Sequence, residues 1–115
     1  MGVKIKRVYE QADAADGYRV LVDRLWPRGL KKENAAVDVW LKEVGPSNEL
    51  RGWFAHKPER FAEFAERYAS ELDGNAAVEE LRRLVAEQKV VTLVYSAHDE
   101  QHNQAVVLRD YLDRH

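Results

Sequence analysis

At 115 residues the chain has room for one domain, and 45% hydrophobic with 33% charged residues describes a globular chain rather than a disordered one. It holds no cysteine, which excludes disulfides, thiolate metal sites and cysteine nucleophiles together and fits a reducing compartment. The net charge is only −2, yet residues 1–31 carry seven basic against four acidic residues while residues 59–88 carry four arginines against eight acids.

Such a dipolar surface either orients an anionic ligand toward the N-terminal part or simply keeps an acidic helical face soluble. The first residues, MGVKIKR, have no apolar run behind their charges, so no signal peptide is expected. Lys6 stands where N-myristoylation requires Ser or Thr. No stretch approaches the roughly 20 apolar residues of a membrane span. These readings make the protein cytoplasmic, with no membrane partner.

In chain order, residues 4–9 alternate basic and apolar side chains and read as a strand with one buried face. A turn cluster at 13–17 ends in Asp-Gly, and residues 18–23 (YRVLVD) form a second strand. The two lie too close in sequence for a parallel crossover, which needs a dozen or more residues, so they are expected to pair antiparallel. Trp26, Pro27, Arg28 and Gly29 make a loop, and residues 31–35 a short helical turn. Val37, Val39 and Leu41 alternate with polar neighbours, as in a third strand, although a helix fits the same stretch.

Ser47 caps a short helix carrying Leu50, Trp53 and Phe54, and Pro58 opens the next. Phe61, Phe64, Ala65, Tyr68 and Leu72 fall at helical spacing, and Asp73 with Gly74 stops that helix. Val78, Leu81, Leu84 and Val85 define another. Residues 90–95 (VVTLVY) are nearly all apolar, the pattern of a strand buried on both faces at the centre of a parallel sheet. A last helix follows, beginning near residues 96–99, with Ala105, Leu108 and Leu112 toward the core.

Strands early and late with helices between them make an α/β protein. The expected architecture is one domain over residues 1–115. Its small mixed sheet has a central parallel part and an N-terminal antiparallel pair, with helices packed on it. Ligands in such sheets bind beyond the carboxyl ends of strands. There, Asp23, Arg24, Trp26 and Arg28 would meet Ser96, His98, Asp99 and His102.

Four chemistries compete at that edge. Arg24 and Arg28 offer forked donors for phosphate or carboxylate, with Trp26, Trp53 or Tyr95 as flat faces for a ring. His98 and His102 at i,i+4 suggest a metal, but a loop at His98 breaks their common face, so no metal is assigned. Asp23 with His102 makes a candidate acid–base pair, whereas Ser96 lacks a nucleophile elbow and reads as a cap through Ser96-x-x-Asp99. Trp53, Phe54, Phe61, Phe64 and Tyr68 could stack bases, but their helical spacing favours core packing.

Residues 20–29 (VLVDRLWPRG), 40–47 (WLKEVGPS), 50–54 (LRGWF), 64–72 (FAERYASEL) and 93–112 (LVYSAHDEQHNQAVVLRDYL) resemble the YeaO-like branch of the DUF488 family, in the same order along nearly the whole chain. The resemblance implies a small bacterial or archaeal α/β protein and points to no particular reaction. Transcription-factor-like names attached to homologues find no basic helix-turn-helix here. Other branches tend to carry cysteines and a Cys-His-Arg run after the last strand. This chain has Tyr95 at one such cysteine position and Asn103, Gln104 and Ala105 across the run, so thiol or metal chemistry does not carry over. His98 also replaces an expected Lys or Arg. The motif positions that match are Asp23, Arg24, Trp26, Pro27, Arg28, Gly29, Tyr95, Asp99, His102 and Asn103.

The expectation drawn from these readings is a site for an anionic, phosphate-containing small molecule. Arg24, Trp26, Arg28, Tyr95, Asp99 and Asn103 would bind it, Asp23 and His102 would handle protons, and no cofactor is needed. The alternatives are a nucleic-acid-binding module using Lys4, Lys6 and Arg7, which a pI near 6.1 disfavours, and a protein-interaction module. The last would be marked by an exposed Trp40 or Trp53.

Overall fold

Val91–Tyr95 (β4) is the strand around which the rest is arranged, and all five of its residues are buried. Its β-branched and aromatic side chains suit a pleated surface packed on both sides. The computed structural model describes residues 3–114, so the reading of Met1 and Gly2 as free of targeting signals lies outside the described residues. Within them β1 (Val3–Arg7), β4, β2 (Tyr18–Leu21) and β3 (Val39–Trp40) form one sheet in the order β1-β4-β2-β3, and every pairing is parallel.

The expected antiparallel pair of β1 and β2 is therefore corrected. The two strands run the same way and do not touch as partners, because β4 lies between them. The loop-length rule applies to adjacent strands, and these are not adjacent. Ten extended residues reach roughly 34 Å, enough to return along a five-residue strand and cross two strand spacings, a straight-line distance of roughly 20 Å. The connection contains a 3-10 turn at Ala14–Asp16, capped by the Asp13 side chain. It ends at Gly17, where φ is 66° and any Cβ would stand 2.4 Å from the Val90 carbonyl oxygen, so no side chain fits. The third strand keeps only two of its expected residues before a 3-10 turn at Lys42–Val44.

Among the described residues there are also five α-helices: α1 (Lys32–Ala35), α2 (Asn48–Phe54), α3 (Phe61–Asp73), α4 (Ala76–Glu87) and α5 (Gln104–Arg114). Ser47 caps α2 by accepting from the Leu50 amide, and its own N–H and hydroxyl donate to Glu71 at 2.9 and 2.6 Å. Phe64, Tyr68, Leu72, Leu81 and Leu108 bury the inward stripes of α3, α4 and α5 against Val20, Leu93 and Tyr95. Phe54 and Phe64 stack at 4.3 Å, so the aromatic series of α2 and α3 builds core.

The opposite face of the sheet is covered by loops. Val8, Leu21 and Val94 make a small apolar cluster there with Trp26, Leu30 and Val37. Beside it Asp16 pairs with Arg19 at 2.5 Å and Lys6 at 3.1 Å, Arg19 donates to the Ala35 and Ala36 carbonyls, and Thr92 donates to the Asp16 carbonyl. Among the described residues no helix is long and apolar enough to cross a membrane.

Candidate functional site at the carboxyl edge of the sheet

An all-parallel sheet ends all its strands on one side, so the residues after Arg7, Leu21, Trp40 and Tyr95 converge as expected. Asp23 is at the centre of this edge with 7% of its surface exposed. Its Oδ2 accepts the Ser96 backbone N–H at 3.0 Å, and its Oδ1 accepts the side-chain amide of Gln104, the first residue of α5. The Asp23 carbonyl accepts the Trp40 indole N–H at 2.7 Å. Burial pushes its carboxyl above the usual range, against the opposing pull of the Ser96 hydroxyl and amide, Gln104 and the Arg51 charge.

His102 is not the partner of Asp23. Its Nδ1 lies 2.9 Å from Asp99 Oδ2, and its ring meets Phe61 edge-on at 5.2 Å. Asp99 Oδ1 accepts the backbone N–H groups of Gln101 and His102, closing a turn. These contacts, Gln101 foremost, hold the Asp99 carboxyl below its ordinary range. Acid and histidine thus occupy the same edge in two separate hydrogen-bonded groups.

Three further candidates are committed to the fold. Arg24 donates to the carbonyls of Pro46 at 2.8 Å and Gly45 at 2.7 Å, clamping the segment that follows β3. Tyr95 is buried in the main core, where burial raises its hydroxyl pKa against the lowering pull of Asn103. Asn103 caps α5: its Oδ1 accepts the Val106 N–H at 3.0 Å, and its Nδ2 donates to the Asp99 carbonyl at 2.8 Å. The helix accordingly starts at Gln104, and the cap expected at Ser96 and Asp99 is corrected to Asn103, because the Ser96 N–H is drawn to Asp23.

Trp26 and Arg28 stand farther out. The Trp26 indole donates to the Leu30 carbonyl at 2.7 Å, and its ring meets Trp40 at 5.4 Å and 68°, an edge-to-face pair. Arg28 is exposed; its carbonyl accepts the Tyr9 hydroxyl at 2.8 Å, and its guanidinium has no hydrogen bond or ion pair among the described residues. Lys42 lies over the Trp40 ring and Arg7 over the Tyr9 ring, at 5.6 and 5.1 Å. Trp53, by contrast, is half-buried under Arg60 and Arg67.

Gln104 and Trp40 are the edge residues that sequence reasoning left out of the site. Gln104 had a signal, since it occupies the middle of the run where other branches tend to carry Cys-His-Arg. His98 is exposed, and no group of three or more His, Cys, Asp or Glu able to hold a metal exists among the described residues. Cavities of about 250 and 480 Å³ lie elsewhere, one lined by Phe61, Ala65 and Tyr111, the other by Val3, Arg82 and Leu112.

The family model DUF488-N3i, described as the inactive DUF488-N3 subclade, matches residues 2–115. An uncharacterised protein of Mycobacterium tuberculosis (strain ATCC 25618 / H37Rv) is 49% identical over 111 residues, covering 96% of this chain and 93% of its own length. The uncharacterised protein YeaO of Escherichia coli (strain K12) is 46% identical over 114 residues, with 97% of each chain covered. No solved structure matches the chain.

Proposed function

The chain belongs to the YeaO-like DUF488 family, in its inactive N3 subclade, and from that premise we propose that it works by binding a protein partner without catalysis. One observation carries this reading. The large apolar side chains exposed among the described residues are Tyr9 (43%), Leu25 (61%) and Trp40 (36%), and each stands at or just beyond the carboxyl end of a strand. Hydrogen bonds from Tyr9 to Arg28 and from Trp40 to Asp23 tie the three to a single loop. That loop, residues 22–31, carries Arg24, Arg28 and Lys31, and its one acid, Asp23, is buried.

An apolar patch rimmed by cations suits an acidic protein segment with an apolar anchor. The groups nearer the strand ends support the same reading, because Asp23, Arg24 and Asn103 spend their hydrogen bonds inside the fold. Capture of partners from a bacterial lysate on immobilised wild-type protein, Trp40→Ala and Arg28→Ala provides the test. Aromatic and arginine anchors dominate interfaces, so each variant loses at least about 10-fold in affinity for the captured protein. A partner held equally by all three would refute the rim.

A second reading rests on the Arg28 guanidinium, exposed and without a hydrogen bond or ion pair among the described residues: a phosphate-containing ligand. Thermal-shift measurements with inorganic phosphate, nucleotides and an oligonucleotide separate it from the first. Stabilisation lost in Arg28→Ala selects the small anion, and a steep salt dependence with the oligonucleotide alone selects nucleic acid.

A further inference from the structure

Asp23 is surrounded by donors as a bound anion would be. Its two carboxylate oxygens accept from a backbone N–H immediately after the central strand and from a side-chain amide on the first residue of α5. These donors lie 73 and 81 residues away in sequence, so they come together only when β2, β4 and α5 are assembled. Burial opposes the charge, and the Ser96 hydroxyl and the positive charge of Arg51 offset that opposition in part.

We infer that the crook between β4 and α5 is an anion site kept shut by the chain's own Asp23, which acts as its tethered ligand. The ligand class follows from what fills it: a planar carboxylate, accepting one hydrogen bond on each oxygen. Tethering gives Asp23 an effective concentration in at least the millimolar range, so an external carboxylate at ordinary concentration does not displace it. The inference does not rest on the protein-binding rim, whose Trp40 meets Asp23 at its backbone carbonyl and not at its carboxylate.

Removing the tether tests it. Asp23→Ala takes away the anion and leaves the Ser96 N–H and the Gln104 amide unpaired around a space the size of a carboxylate. Melting temperatures of wild type, Asp23→Ala and Asp23→Ala/Gln104→Leu are compared in sodium formate and in sodium chloride at matched ionic strength. Formate gives Asp23→Ala a saturable rise on the order of 5 °C over chloride at ten times its dissociation constant. Wild type shows no such rise, and the double variant loses most of it. If Asp23→Ala is unfolded in chloride, the readout is recovery of its far-UV circular dichroism in formate. Absence of both the rise and the recovery overturns the proposal, as does an equal formate effect on wild type or on the double variant.

Discussion

The two faces of the sheet solve the same covering problem with different forces. On one, α3, α4 and α5 lay Phe64, Tyr68, Leu72, Leu81 and Leu108 over Val20, Leu93 and Tyr95, an apolar contact that is non-directional. On the other, two loops are fixed by Asp16, Arg19, Lys6 and Thr92, whose hydrogen bonds are directional and fully satisfied. A buried ion pair contributes little net stability, but removing one member leaves a charge without its counter-charge. The helical face therefore supplies most of the folding free energy, while the ionic cluster sets where the loops lie.

Deletion on each face gives the largest effects. Phe64→Ala, which loses the Phe54 stack and opens a cavity, costs about 3–5 kcal/mol. Asp16→Ala costs a similar amount, about 3–5 kcal/mol, by stranding Arg19 beside Lys6. The faces separate on repair: Asp16→Leu combined with Arg19→Met recovers most of the second loss in urea unfolding, whereas no single neighbour substitution refills the Phe64 cavity. A double variant no more stable than Asp16→Ala would mean that the cluster contributes substantial stability of its own.

Acid titration sharpens the contrast through two carboxyls displaced in opposite directions. Burial alone would raise Asp16, but the Asp13 N–H, Lys6 and Arg19 hold it below the usual value. Its stabilising contribution is present above the ordinary carboxylate range and disappears as pH falls through the lowered value. Asp23 is raised, so its protonated form favours the folded state, and stability falls as pH rises from about 4, the ordinary aspartate value, through the raised one. In urea midpoints measured against pH, Asp16→Asn removes the acid limb of the profile and Asp23→Asn removes the decline above it. The opposite assignment would show that the two environments have been exchanged.

The smallest effect belongs to the solvent side of the helices. Glu63 and Arg67 meet at 2.5 Å on α3, yet both are half-exposed, and Glu63→Ala changes stability by no more than about 0.5 kcal/mol. A larger loss would point to the Arg67 contact with the Trp53 ring.

Legibility in the sequence followed the range of the interactions. The helices carrying Phe61 to Leu72 and Val78 to Val85, the Ser47 cap and the buried central strand all rest on local periodicity, and all are present. Strand order was hidden, because nothing within residues 1–23 says that a segment some 70 residues later enters between β1 and β2. The edge was readable as a place and not as a set of contacts. Asp23 and His102 do reach it, but Asp23 accepts the Ser96 N–H, while His102 pairs with Asp99, which accepts the Gln101 N–H. Arg24 read as an anion binder because its composition is that of one; the Gly45 and Pro46 carbonyls that occupy it arrive through the turn after β3.

The late position of β4 in the chain bears on synthesis at the ribosome. β1 pairs with β4 and with no other strand among the described residues, so its hydrogen-bonding edge stays open until residue 95 has emerged. A strand waiting that long is exposed to pairing with other nascent chains. Lys4 and Lys6 alternate along it with Val3 and Ile5, and lysines on an open edge oppose such pairing. The same Lys6 that later closes the Asp16 cluster thus keeps its own strand soluble while the partner is still being made.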